Sequence, residues 1–191
     1  LEDIAVMRAL PNFKVYVASD ETMCGWLVKH AIEDASPMYL RMSRDAFPDI
    51  YGPGTEFEDG RARIVRDGTD ATVIACGLEV GNALAAAEIL KAQGVSLRVV
   101  DMFCIKPLDE EMIVRCAEET GAVITAEEHN LYGGLGGAVC EAICRRGGSV
   151  KYGMIGICDT HTECGPYAAL QKKYGIDAEA ISRKVLETLR R

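Results

Sequence analysis

Nothing in this 191-residue chain is apolar for long enough to span a membrane; no run approaches the ~18 residues a span needs. No signal peptide pattern is present. Positive charge is also scarce. Twenty-one Lys and Arg face 29 Asp and Glu, a net charge of −8. That argues against nucleic acid and anionic membranes as partners. No CxxC pair occurs among the eight cysteines, Cys24, Cys76, Cys104, Cys116, Cys140, Cys144, Cys158 and Cys164. Cys76, Cys104 and Cys116 lie in apolar patterns, as buried thiols of a reducing cytoplasm do. Cys140 and Cys144 are i,i+4 on a predicted helix, and Cys158, His161 and Cys164 form a loose cluster. Neither matches a standard zinc spacing, so no metal site is expected. No GxGxxG is present, and no glycine-rich turn carries the Lys of a phosphate loop.

What is present is a well-stocked core: 49% of residues are hydrophobic, too many for a disordered chain. Residues 1–10 read as a helix stopped at Pro11-Asn12. Because Leu1 already sits inside this amphipathic pattern, a missing N-terminal part is expected. Phe13–Ala18 reads as a strand, and Ser19-Asp20 caps a helix running to Ala35. Met38–Met42 is a short strand. The stretch from Asp45 to Asp59, rich in Gly, Pro and acids, reads as a linker. A second unit follows, with strands at Arg61–Arg66, Thr72–Cys76, Leu97–Asp101, Val123–Ala126 and Val150–Ile157. Helices are expected at Leu78–Gln93, Asp109–Thr120, Ala138–Arg145, Tyr167–Tyr174 and Ala178–Leu189. Such alternation predicts an α/β fold with a mostly parallel sheet, behind the tail of another α/β unit.

Several residues invite a functional reading. The turn Gly77–Gly81 and Asp101 resemble parts of a dinucleotide site. However, Glu79 would put a negative charge at the pyrophosphate, so a plain strand-to-helix turn is the better reading. Glu127, Glu128 and His129 either supply acid, base and shuttle or simply form the polar end of a strand. Gly133, Gly134, Gly136 and Gly137 follow them, and the neighbouring acids favour close packing over anion binding. Arg44, beside Ser43 at the carboxyl end of a predicted strand, is suited to grip a phosphate. A surface salt bridge is the alternative, and Arg41 lies nearby. His30 reads as a helix-surface residue and Trp26 as packing.

In order along the chain, LEDIAVMRALPN, VASDET, YLRMSR, DATVIACGLEVGNALAAAEILKAQGVSLRVVDM, IKPLDEE and TAEEHNLYGGLGGAV resemble the C-terminal half of transketolases. The likeness is strongest to the separate C-terminal subunit of split enzymes. It implies a mostly parallel-sheet C-terminal transketolase domain over 60–191. Before it come a linker at 48–59 and, over 1–47, the last third of an α/β pyrimidine-binding domain. It implies transfer of a two-carbon ketol unit between sugar phosphates, in the cytoplasm and the pentose phosphate pathway. The complete enzyme would use thiamine diphosphate with a divalent metal (Mg). The catalytic glutamate, the pyrimidine-stacking aromatics and the metal ligands lie outside this chain. No catalytic, cofactor or metal residue is therefore expected in it, and alone it should be inactive. Partners implied are an N-terminal transketolase subunit or domain, in a homodimer or heterotetramer. The family's SR motif falls on Ser43-Arg44, whose arginine grips the substrate phosphate. A similar domain occurs in 1-deoxy-D-xylulose-5-phosphate synthase, and a non-catalytic assembly module is a further alternative.

Overall fold

A computed structural model describes residues 1–44, 48–147 and 149–191. The first unit comprises α1 (Asp3–Ala9), β1 (Lys14–Val17), α2 (Glu21–Glu33) and β2 (Met38–Arg41). Asp20 starts α2 because its carboxylate accepts the Met23 N–H at 2.8 Å, satisfying an orphan donor of the first turn. Its other oxygen accepts the Ile50 and Tyr51 N–H groups at 3.0 and 2.7 Å. One carboxylate thus caps a helix and also ties down the segment leading to the second unit.

The second unit runs β3 (Arg63–Arg66), β4 (Ala71–Ala75), α3 (Leu78–Lys91), β5 (Leu97–Asp101), β6 (Cys104–Lys106) and α4 (Glu110–Thr120). It continues with β7 (Ala122–Asn130), α5 (Leu135–Arg145), β8 (Lys151–Ile157), α6 (Tyr167–Tyr174) and α7 (Ala178–Arg190). Its five-stranded sheet has the order β3-β5-β4-β7-β8, parallel except for the antiparallel edge strand β3. Every residue of β4 and β5 is buried, as strands covered on both faces must be. One core gathers Val80, Leu90, Ile124, Ile181 and Val185 between the sheet and helices α3 and α7. The other gathers Ile74, Ile113, Val123, Val139 and Ile143 beneath α4 and α5.

Two elements depart from the sequence reading. Cys104–Lys106 forms a strand that was not expected, and it joins the first unit. Its partner is β1, antiparallel, in a small sheet of order β2-β1-β6. β7 continues past Ala126 to Asn130, taking Glu127, Glu128 and His129 into the strand. The presumed linker is also well packed. Phe57 meets Trp26, Tyr51 and Phe103 edge to face at 4.8–5.5 Å between ring centroids, the geometry aromatic pairs favour. Asp59 accepts from Tyr16 Oη and Lys14 Nζ, each at 2.5 Å.

Candidate functional site

Ser43 and Arg44 lie just beyond the carboxyl end of β2, and both are exposed. β2 runs parallel to β1, so Arg44 stands at the sheet edge where α/β folds place ligands. Arg41, on the same strand, is already committed. Its Nε donates to Asp3 at 2.9 Å and its Nη1 to Glu128 at 3.0 Å. Burial works against its charge, but Asp3 and Glu128 outweigh it and hold its pKa above the usual value. Of the two arginines, the exposed Arg44 is the one placed to meet a ligand from solvent.

The main sheet reverses its winding at β4, and the crevice beyond the carboxyl ends of β4 and β7 is where a nucleotide would sit. In this chain the first unit fills that crevice. Gly77, with φ of +58°, abuts Val17, whose Cγ1 would lie 2.8 Å from an added Cβ. The Ala5 N–H donates to His129 Nε2 at 3.3 Å, and the Asn130 N–H to the Leu1 carbonyl at 2.9 Å. Arg8 Nη1 donates to the carbonyls of Gly133 and Gly134 at 2.6 and 3.2 Å. A dinucleotide has no room there.

The acids at that crevice have structural partners. Glu127 is fully buried and accepts the Leu135 and Gly136 N–H groups at 2.6 and 2.8 Å, capping α5 from a neighbouring strand. Burial nevertheless raises its pKa to about 7, the two N–H donors opposing. His129 donates from Nδ1 to the Asn130 carbonyl at 2.6 Å while Nε2 accepts from Ala5; burial lowers its pKa, favouring the neutral ring. Asp101 accepts from Ser19 Oγ at 2.9 Å and Tyr51 Oη at 2.8 Å, and burial raises it to about 7. Glu79 is also fully buried, bound by Asn82 Nδ2 at 3.2 Å to each oxygen, and burial raises it to about 8. It is turned inward, in keeping with the plain strand-to-helix turn preferred from the sequence. A cleft of about 330 Å³ lies beside it, lined by Ser19, Pro48, Ile50, Leu78, Asn82 and Tyr167. Its Ser19 hydroxyl and Asn82 amide are engaged with Asp101 and Glu79.

Among the described residues, His30, Asp34 and Asp59 are the one cluster of three metal-ligating side chains. Lys14 Nζ already sits 2.5 Å from both Asp34 and Asp59, supplying the cation they need. His30 is not a surface residue. It stacks on Trp26 at 4.9 Å and 8° between planes, and it reaches Tyr16 Oη at 3.3 Å. Cys158, His161 and Cys164 are exposed on a loop and form no such cluster. Neither the filled crevice nor the acidic cluster, which holds the Lys14 ammonium group, fits the thiamine diphosphate and metal implied by resemblance. Sequence reasoning missed the role of Arg41, whose partners Asp3 and Glu128 are set by tertiary contacts, and the burial of Glu79, whose partner Asn82 lies one turn along the same helix.

The profile described as "Transketolase, C-terminal domain" matches residues 60–181. A putative transketolase C-terminal section of Methanocaldococcus jannaschii is 41% identical over 192 residues, covering 100% of this chain and 60% of that protein. A 1-deoxy-D-xylulose-5-phosphate synthase of Heliobacterium modesticaldum is 34% identical over 194 residues, covering 98% of this chain and 29% of that protein. A solved structure described as a split gene transketolase, inactive beta4 tetramer, superposes with a TM-score of 0.94 at 40% identity. That match covers 99% of this chain and 62% of the other. The mostly parallel α/β architecture agrees with that structure throughout. This chain belongs to the transketolase family and carries its C-terminal domain.

Proposed function

We propose that this chain is the C-terminal part of a thiamine-diphosphate-dependent transketolase that moves a two-carbon ketol unit between sugar phosphates. The observation that carries the reading is the match to a transketolase C-terminal section along the whole chain, with an exposed Ser43-Arg44 pair at a strand's carboxyl end. Arg44 binds the phosphate of the substrate and Ser43 adds a hydroxyl. A guanidinium offers a planar, two-pronged donor to phosphate oxygens, and binding energy gathered at that remote tail positions the reacting carbons. Thiamine diphosphate and its magnesium ion are held by the rest of the enzyme, an N-terminal subunit or domain joined in a dimer or heterotetramer. Residues 1–47 are the end of the pyrimidine-binding domain, 48–59 the connection, and 60–191 the C-terminal domain. Eight free thiols fit a cytoplasmic enzyme. Among the described residues, no helix is long and apolar enough to cross a membrane.

In the complete enzyme, Arg44→Ala should raise KM for phosphorylated substrates about 10- to 100-fold, the worth of a charged hydrogen bond. Unphosphorylated sugars should be used as before. Unchanged KM values for phosphorylated sugars would refute the role of Arg44. Alone, the chain should be inactive and bind thiamine diphosphate weakly, so tight binding in calorimetry would contradict the division of labour. The synthase reading has a relative covering 98% of the chain behind it. Assaying the complete enzyme with pyruvate against a ketose phosphate as donor separates the two.

A further inference from the structure

We propose that Glu128, in the C-terminal domain, is a positioning residue for phosphate binding by Arg44 and acts through Arg41. The inference rests on the phosphate role given above to Arg44. Glu128 follows Glu127 on β7, and successive side chains of a strand point to opposite faces. Glu127 and His129 are fully buried, Glu127 holding the start of α5 and His129 the Ala5 N–H of α1. Glu128 meets β2 instead. Its Oε2 accepts from Arg41 Nη1 at 3.0 Å, while Asp3 accepts from Arg41 Nε at 2.9 Å.

The end of β2 has little else to hold it. Among the described residues β2 is an edge strand, with β1 its one neighbour in the small sheet. At its carboxyl end the Ala18 N–H donates to the Arg41 carbonyl at 2.9 Å. Ser43 and Arg44 follow two and three residues later, so a shift of Arg41 is carried to the Arg44 guanidinium. The clamp is also of the kind that matters. Exposed ion pairs contribute little, but the Arg41 and Glu128 side chains are only 18% and 21% exposed. A largely buried charge that loses its partner has to move or be left uncompensated. Tyr39 braces the other arm, its hydroxyl donating to Asp3 at 2.9 Å. Asp3 and Tyr39 belong to the same unit as β2, whereas Glu128 belongs to the C-terminal domain. Through this one carboxylate the C-terminal domain fixes where the phosphate is gripped.

The test is steady-state kinetics of the complete enzyme with a phosphorylated and an unphosphorylated ketose. Glu128→Ala should raise KM for the phosphorylated ketose about 5- to 20-fold, with kcat within about twofold of the parent. KM for the unphosphorylated ketose should not move. In the Arg44→Ala background Glu128→Ala should add nothing, because the residue it positions is gone. Glu128→Gln keeps the shape and an acceptor for Arg41, so its KM should rise only about 2- to 5-fold. An unchanged circular dichroism spectrum verifies folding, and should the alanine variant not fold, the glutamine variant decides by the same pattern. The proposal is overturned if KM rises alike for both ketoses, if the effect multiplies with that of Arg44→Ala, or if KM stays unchanged while Arg44→Ala raises it. Unchanged KM in Arg44→Ala itself overturns the phosphate role, and the positioning role falls with it.

Discussion

A Gly134→Ala variant should lose about 3–6 kcal/mol of stability, enough to unfold a domain of ordinary marginality. Gly134 does not have a positive φ, its value being −79°. The obstacle is space. A Cβ there would lie 2.0 Å from Glu127 Oε2 and 2.6 Å from His129 Nδ1. Glu127 has nowhere to go, because it is fully buried and holds the Leu135 and Gly136 N–H groups. Displacing it adds strain and strips two buried donors of their acceptor. Gly137→Ala is the matched control, because its Cβ would meet nothing closer than 3.6 Å. Inside α5 that substitution should be neutral or stabilise by up to about 1 kcal/mol. Urea unfolding of both variants checks this. Unfolding free energies within about 1 kcal/mol of each other would show that Glu127 does not brace the helix start.

Glu79→Gln should make the protein more resistant to alkaline unfolding. The folded-state pKa of Glu79, about 8, lies well above the ordinary carboxyl value of 4.5. Such a group contributes fully below the unfolded pKa, and that contribution is lost as pH rises through the folded one. Between about pH 4.5 and 8 the penalty grows toward about 3–5 kcal/mol, because the unfolded chain gives up this proton while the buried carboxyl keeps it. Glutamine keeps the shape and the Asn82 contact without the charge. Asp101 and Glu127, each raised to about 7, pull the same way, so the variant should flatten part of the slope and leave part. Urea midpoints at pH 6 and pH 9 are the measurement. A variant whose midpoints fall in parallel with the parent would show that Glu79 is not the group responsible.

The alternation of strands and helices was plain in the sequence because each buried strand is a short apolar run and each helix has a local stop. Gly121, with φ of +67°, closes α4, and Asp109 opens it by accepting the Met112 N–H at 3.0 Å. β6 was not legible, because three residues carry no periodicity and its partner β1 lies about 90 residues upstream. The end of β7 was misplaced for a different reason. Glu127 and His129 look like a solvated strand end. They are buried because α1 covers them and because α5 supplies the N–H groups that make burial tolerable. At the candidate site, local pattern could put Arg44 after a strand, but only resemblance to a family suggested a phosphate. Nothing local could show that Arg41 is claimed by Asp3 and Glu128, 38 and 87 residues away.

Because β6 pairs with β1, residue 60 is a poor place for exchange between related genes. The family match begins there, yet Val15 and Tyr16 register with Lys106 and Cys104 across that boundary. Asp59, on the same side of the boundary as Lys14 and Tyr16, holds both. A crossover at that codon sends the two edges of one small sheet to different parents. Chimaeras should therefore survive best when β1, Asp59 and β6 are inherited as a set, although they are scattered between residues 14 and 106 of this chain.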